Sequence, residues 1–150
     1  MRHGMLAAWP RRAAGLLLLT LAACHVTLVT SYDEQFVKNT VATETDIDTL
    51  LQTQRNPPKG TDTGYDTSVR AYNKIDVDLN GLLALAESHS NNADTIAQVN
   101  KLIELVQGLE KVHREEGQLG AAYINGKQQD LRVIFAAILR TENDKKAGMT

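Results

Sequence analysis

The chain has 150 residues, with 16 basic and 18 acidic side chains, one cysteine and 5% aromatic residues. This near balance of charge leaves no basic excess for nucleic acid, and one cysteine forms no intramolecular disulfide. The scarcity of aromatic residues favours an aliphatic helical core over a sheet protein.

The first 23 residues have the layout of an export signal. Three arginines precede a short apolar run over residues 13–20, and small residues follow this run. A permanent bilayer span needs about 20 apolar residues, which is more than this run provides. We therefore expect residues 1–23 to be a signal peptide that is removed from the mature protein.

The four residues Leu21-Ala22-Ala23-Cys24 resemble the lipobox of bacterial lipoproteins, in which the cysteine becomes the lipidated N-terminus. The resemblance implies that Cys24 is a lipid anchor, and two or more acyl chains hold a protein stably in a membrane. Residue 25 is His and not Asp, so the resemblance also implies the periplasmic face of the outer membrane. The alternative is an ordinary secretory signal with cleavage elsewhere.

Cleavage before Cys24 removes 23 of the 150 residues and leaves 127, which suits one small domain. It also removes Arg2, Arg11 and Arg12 but no acidic residue, so the mature net charge becomes about −5. Nucleic acid is therefore excluded as an expected partner. Residues 24–30 form a tether that reaches at most about 25 Å, which holds the following domain close to the membrane.

Residues 31–150 contain four segments in which apolar residues recur at three- and four-residue steps, the spacing of amphipathic helices. The predicted helices run from about residue 31 to 54, 63 to 88, 92 to 116 and 119 to 146. Capping boxes that begin at Ser31 and Thr63 are predicted to start the first two helices. Pro57 and Pro58 end the first helix, because proline cannot continue its hydrogen bonds.

Four helices of similar length with short connections predict an all-α, up-down-up-down four-helix bundle. With Cys24 at the membrane, helix one starts at the membrane end, where the 88–93 turn and the C-terminus also lie. The loop around the two prolines and the 116–119 turn then form a distal tip that faces away from the lipid.

Three short motifs of the mature chain are similar to a family of small proteobacterial lipoproteins. They are the Leu28-Val29-Thr30-Ser31-Tyr32-Asp33-Glu34 stretch, Val77-Asp78-Leu79, and Phe135 followed by Ile138-Leu139. This resemblance implies an all-helical periplasmic domain, and it implies no particular activity.

One segment matches the spacing of an EF-hand calcium loop. Asp76, Asp78, Asn80 and Glu87 stand at the ligand positions of such a loop. However, the apolar steps of the second helix continue through the segment at Leu79, which a calcium loop would expose. We therefore expect a continuous helix here, with calcium binding as the alternative.

Two further motifs suggest chemistry but lack the groups that chemistry needs. His113 and Glu116 share a helical face, yet carboxylate-bridged metal sites require Glu-x-x-His on two helices. We interpret them as a charged helix end, where a histidine suits the helix dipole. The Ser88-His89-Ser90 turn has no positioned acid beside it, so we predict no enzymatic activity and no cofactor.

The sequence thus predicts a membrane-anchored periplasmic lipoprotein that acts as a binding or structural module. An envelope protein partner is expected at the distal tip, around residues 55–59 and 113–117. A secondary expectation is that Arg140, Lys145 and Lys146 meet phosphate head groups at the membrane end. The alternative function is a carrier of a small ligand or of Ca²⁺, using the bundle interior or residues 76–87.

Overall fold

The computed structural model describes residues 31–148, so the predicted signal, Cys24 and the tether lie outside the described residues. Residues 31–148 form four helices and no strand, which confirms the predicted all-α class. Within this range no helix combines the length and the apolar character that crossing a bilayer requires. The helices are α1 (Glu34–Arg55), α2 (Tyr65–Ser88), α3 (Ala93–Glu116) and α4 (Ala121–Ala147).

The helices form a four-helix bundle in which each helix packs against the next along the chain and α4 closes the ring against α1. Contacts between helix ends show that successive helices are antiparallel. Asp33 at the start of α1 lies 3.1 Å from His89 after the end of α2, while Gln54 near the end of α1 lies 2.9 Å from Ser68 near the start of α2. We call the end where α1 begins the near end and the opposite end the far end.

The core of the bundle is a single cluster of buried apolar side chains drawn from all four helices. Full burial of a Leu or Ile side chain contributes about 1.5–3 kcal/mol, so this cluster is the main source of stability. The three- and four-residue steps of the predicted apolar stripes match the buried positions, which include Phe36, Ile47, Leu50, Tyr72, Ile75, Leu79, Leu82, Val99, Leu102, Val106, Leu109, Leu131, Phe135 and Ile138.

Helix α1 is rich in threonine, which is a poor helix former, and its hydroxyl groups are bonded within the helix. Thr40 and Thr43 face inward and are buried, and each donates its hydroxyl hydrogen to the carbonyl four residues earlier. Thr45, Thr49 and Thr53 do the same on the outer side. These bonds allow a polar helix to pack into the bundle without leaving a hydroxyl donor unpaired.

The predicted capping boxes are wrong at both helices. Asp33, and not Ser31, caps α1: its Oδ1 accepts from Gln35 N at 2.8 Å and from Phe36 N at 3.0 Å. The N-cap of α2 is Gly64, which has no side chain to offer. Thr63 lies outside the helix, and its carbonyl oxygen accepts a hydrogen bond from a side chain of α3. Its role depends on a tertiary partner that the local sequence does not reveal.

Candidate functional site

The segment with calcium-loop spacing is part of the uninterrupted helix α2. Two residues along a helix turn through about 200°, so Asp76 and Asp78 point in different directions. Leu79 is buried in the core, and Asp78 is paired with Lys74 Nζ at 2.8 Å. Among residues 31–148, no three histidine, cysteine or carboxylate side chains are grouped so that they could hold a metal ion. The continuous helix is confirmed, and Asp76, Asp78, Asn80 and Glu87 do not assemble into a calcium loop.

His113 lies in the last turn of α3, as predicted, but it is part of the core at the far end, which corrects its place in the accessible surface of the distal tip. Its exposed fraction is 0%, and both ring nitrogens are bonded. Nε2 lies 3.0 Å from the Thr63 carbonyl oxygen, which can only accept, so Nε2 carries a hydrogen; in the neutral ring, Nδ1 then accepts from Tyr72 OH at 3.0 Å. Burial raises the pKa of the Tyr72 phenol, so it keeps the proton that it donates. His113 falls four residues after buried Leu109, and this spacing would have placed it inward.

Lys145 is also buried, so the expectation that it meets lipid head groups is wrong. It is 9% exposed and forms an ion pair with Glu142, which is 2% exposed. Its ammonium group also donates to Asn92 Oδ1 at 2.6 Å and to Thr95 Oγ1 at 2.9 Å. This fully bonded cluster ties the end of α4 to the start of α3 at the near end. Charges buried in this way require such partners.

A groove of about 370 Å³ lies between α1 and α2 and extends from the far end towards the middle of the bundle. Its floor is apolar, with buried Leu50 and Ile75 and half-buried Ala71, while its walls are polar. We call it the α1–α2 groove. Its residues are Asp46, Thr49, Leu50, Thr53, Gln54, Thr61, Asp62, Thr67, Ser68, Ala71, Lys74 and Ile75.

Gln54 is the unusual residue of the α1–α2 groove. It is 8% exposed, and its Nε2 donates to Ser68 Oγ at 2.9 Å. Ser68 Oγ donates its one hydrogen to Gly64 O at 3.3 Å. In the bond between Gln54 and Ser68, the amide nitrogen of Gln54 must therefore be the donor. The other amide atom, Oε1, is buried and accepts no hydrogen bond. A buried acceptor without a donor lowers the stability of the fold by about 1–3 kcal/mol. A donor at this position would remove that cost.

The remaining polar groups of the groove are also mainly acceptors. The hydroxyl groups of Thr49, Thr53 and Thr67 each donate to a backbone carbonyl and leave only lone pairs free. Asp46 and Asp62 contribute carboxylate oxygens. Lys74 is the one basic residue of the lining, and hydrogen bonds from its ammonium to Asp46 at 2.5 Å and to Asp78 at 2.8 Å raise its pKa.

A second depression, of about 490 Å³, lies where Arg55 meets α4. Three of its polar side chains form one hydrogen-bonded set: Arg55 Nη1 donates to Asn125 Oδ1 at 3.0 Å and to Gln128 Oε1 at 2.9 Å. Gln128 Nε2 in turn donates to Asp48 Oδ1 at 3.2 Å. Among the described residues, this depression has no buried, unpaired acceptor like Oε1 of Gln54.

A third depression, of about 460 Å³, lies between α3 and α4. It contains Gln98, whose Nε2 donates to Thr141 Oγ1 at 3.0 Å and whose Oε1 is also unpaired. Gln98 is only half-buried, however, and the wall contains Arg140, a strong donor. Its chemistry is therefore mixed, whereas the α1–α2 groove is lined mainly by acceptors.

Comparison of the chain with protein-family models, with curated proteins and with solved structures found no match. The spacing of apolar residues alone does not predict the α1–α2 groove. A usable signal was present, since Gln54 and Ser68 occupy inward positions, four residues after buried Leu50 and four before buried Tyr72. Polar residues at such positions need partners, and here the partners are incomplete.

Proposed function

We propose that this protein is a lipid-anchored binding module of the cell envelope that holds a small ligand in the α1–α2 groove. The lipobox residues and the short tether support the anchor. The single observation that carries the binding role is that Gln54, a residue of the groove lining, has a buried and unpaired Oε1 beside an apolar floor. Ligand sites commonly combine a largely apolar surface with a few polar groups that form hydrogen bonds to the ligand.

The volume of the groove fits this role. About 370 Å³ falls within the range of roughly 300–1,000 Å³ that is usual for small-molecule sites. A ligand that donates a hydrogen bond to Gln54 would relieve the cost of burying its oxygen, and the ligand's apolar part would cover Leu50 and Ile75. Binding would therefore be favoured at one place both by a new hydrogen bond and by the burial of apolar surface.

The proposed anchor would orient the groove towards the periplasm. With Cys24 in the membrane, the near end would face the lipid and the far end would face away from it. Asp46 lies twelve residues into α1, which is about 18 Å along the helix axis. The groove begins at that height and continues to the far end, where a ligand from the periplasm could reach it.

The anchor is tested by fractionation of cells that express the full chain. The Cys24→Ala variant should lose lipid labelling and leave the membrane fraction, whereas the wild-type chain should be processed and remain there. A Cys24→Ala chain that stays membrane-bound and unprocessed would overturn the lipoprotein assignment.

Binding is tested without knowledge of the ligand by thermal unfolding of the full chain extracted from envelopes in mild detergent. A ligand that binds only the folded state raises its stability. We expect the melting temperature to fall after the chain is unfolded in urea, freed of small molecules and refolded. The Ala71→Leu variant, which fills the groove, should show no such fall. Equal melting temperatures of the wild type before and after this treatment would contradict the proposal.

An envelope protein partner at the distal tip is the second candidate function. The specific observation in its favour is that residues 56–62 at the far end are all exposed. Two of them, Thr61 and Asp62, also line the groove, so a partner and a ligand would meet at the same loop. A photo-crosslinker at Lys59 should capture a specific envelope protein, while one at exposed Val77 on the flank of α2 should not. Identical products at both positions would count against it.

A further inference from the structure

We propose that the ligand of the α1–α2 groove is an organic ammonium ion on a short alkyl chain, of which a linear diamine is the simplest example. This inference rests on the proposed function, because it names the class of ligand for the same site. It follows from three properties of the groove, which are its hydrogen-bond acceptors, its charge and the arrangement of its apolar floor.

The first property is the excess of acceptors. Gln54 Oε1 needs a donor, and the hydroxyl groups of Thr49, Thr53 and Thr67 have already donated their hydrogens to the backbone. An ammonium group has three donors and no acceptor, so it complements such a wall. A carboxylate or phosphate ligand brings only acceptors, so it could not donate a hydrogen bond to Gln54 Oε1 or to the threonine oxygens.

The second property is charge. The lining contains two carboxylates, Asp46 and Asp62, against the single ammonium of Lys74. The ammonium group of Lys74 pairs with Asp46 and also with Asp78 on its own helix, so its charge is already balanced. Asp62 takes part in none of the ion pairs between described residues, and its Oδ1 accepts only the Gly64 N–H, at 2.8 Å. A cation is therefore attracted to the Asp62 end of the groove, and an anion is repelled from it.

The third property is the spacing of the polar groups. Asp46 and Gln54 are eight residues apart on α1, which corresponds to about 12 Å along the helix. Leu50, Ala71 and Ile75 supply the apolar surface between them. An alkyl chain can lie on this floor with its ammonium group at Gln54 and Asp62. A chain of about five carbons is shorter than this distance, so it fits along the floor with its second ammonium group directed towards Asp46.

The test uses the full chain in detergent micelles and three probes with the same five-carbon chain. These are 1,5-diaminopentane, 1,5-pentanediol and glutarate, which end in cationic donors, neutral hydroxyls and anionic acceptors. We expect calorimetric titration to show saturable binding of the diamine and no measurable binding of the other two. Binding of the diol or of glutarate in place of the diamine would overturn the ammonium assignment.

Matched variants separate the groove from general attraction of a cation to an acidic protein. Asp62→Asn keeps the oxygen that accepts from Gly64 N–H but removes the charge, and it should weaken diamine binding at least about tenfold. Asp94→Asn makes the same change on the exposed first turn of α3 and should leave binding unchanged. Equal losses in the two variants, or diamine binding that persists in Ala71→Leu, would overturn the inference, as would the absence of diamine binding at about 10 mM.

Failure of this inference is distinguishable from failure of the proposed function. If the extracted chain loses thermal stability on removal of small molecules but does not bind the diamine, the groove holds a ligand of another class. If the extracted chain shows no such loss, the binding role itself is wrong.

Discussion

Gln54 Nε2 donates across the α1–α2 interface to Ser68 Oγ at 2.9 Å, while Oε1 of the same amide is buried without a partner. The bond joins the end of α1 to the start of α2 at the far end of the bundle. A structural role alone would be served better by an apolar pair, because an orphaned acceptor lowers stability. This half-satisfied amide is the feature that separates the groove from ordinary helix packing.

The first prediction concerns the cost of this amide. Gln54→Met keeps the length of the side chain and removes the unpaired oxygen, so the unfolding free energy should stay the same or rise by about 1 kcal/mol. Gln128→Met is the control, because Gln128 accepts from Arg55 and donates to Asp48. It should lower the unfolding free energy by about 1–3 kcal/mol in urea titrations. Similar losses in both variants would show that Oε1 of Gln54 has a partner.

The second prediction concerns the buried histidine. Tyr72→Phe removes the hydroxyl that bonds His113 Nδ1, so the unfolding free energy should fall by about 1–3 kcal/mol. Tyr65→Phe provides the control, since Tyr65 OH donates to the partly exposed Glu110, which also accepts from Arg114. Its loss should stay below about 1 kcal/mol. Urea unfolding of both variants decides, and a larger loss in Tyr65→Phe would contradict the structural role given to His113.

The third prediction concerns the buried ion pair at the near end. Lys145→Met leaves Glu142 buried without its cation and should lower the unfolding free energy by about 3–5 kcal/mol. Replacing both residues, with Glu142→Leu added, should restore most of this loss because no buried charge remains. Lys101→Met breaks an exposed pair with Glu104 and should change stability by less than about 0.5 kcal/mol. If the single Lys145→Met variant resembled Lys101→Met, the buried cluster would be absent.

The fourth prediction concerns the α1 cap and its pH dependence. Asp33→Ala should lower the unfolding free energy at pH 7 by about 1 kcal/mol, whereas Ser31→Ala should have no effect. Burial alone would raise the pKa of Asp33, but hydrogen bonds from Phe36 N–H, His89 and Gln35 N–H together hold it below its ordinary value of 3.8.

The sign of the pH effect follows from that lowered pKa. A carboxyl group whose pKa is lower in the folded state contributes stability above its unfolded value, and this contribution is lost as the pH falls through the folded value. The gap between wild type and Asp33→Ala should therefore narrow below about pH 4. Urea unfolding at about pH 7 and about pH 3 measures it. A gap that stays constant, or a cost at Ser31→Ala, would contradict this cap.

The helices could be predicted from the sequence because the spacing of apolar residues is a local property. The steps through Tyr72, Ile75, Leu79 and Leu82 determine α2 without knowledge of its neighbours, and Pro57 ends the preceding segment. The same steps explain why the calcium spacing within α2 did not produce a loop. Burial of the helical face outweighed a motif that would have exposed Leu79.

The polar residues could not be placed in the same way. His113, Lys145 and Gln54 each occupy an inward position of a helix, yet Lys and Gln favour an exposed location and His has no strong preference for burial. What holds them inside are groups on other helices or loops, such as the Thr63 carbonyl at His113 and Asn92 at Lys145. Such partners become visible only when the four helices are assembled, and the groove depends on the same assembly.

The claim that this chain is a lipid-anchored binding module is tested most directly by native mass spectrometry of the full-length expression product released from envelopes in mild detergent. We expect a lipidated chain that begins at Cys24 and carries a small-molecule adduct. The adduct should be lost in Ala71→Leu, which fills the groove, and kept in Ala97→Leu on the exposed surface of α3. A chain that retains residues 1–23, or spectra without an adduct in any variant, would contradict the account.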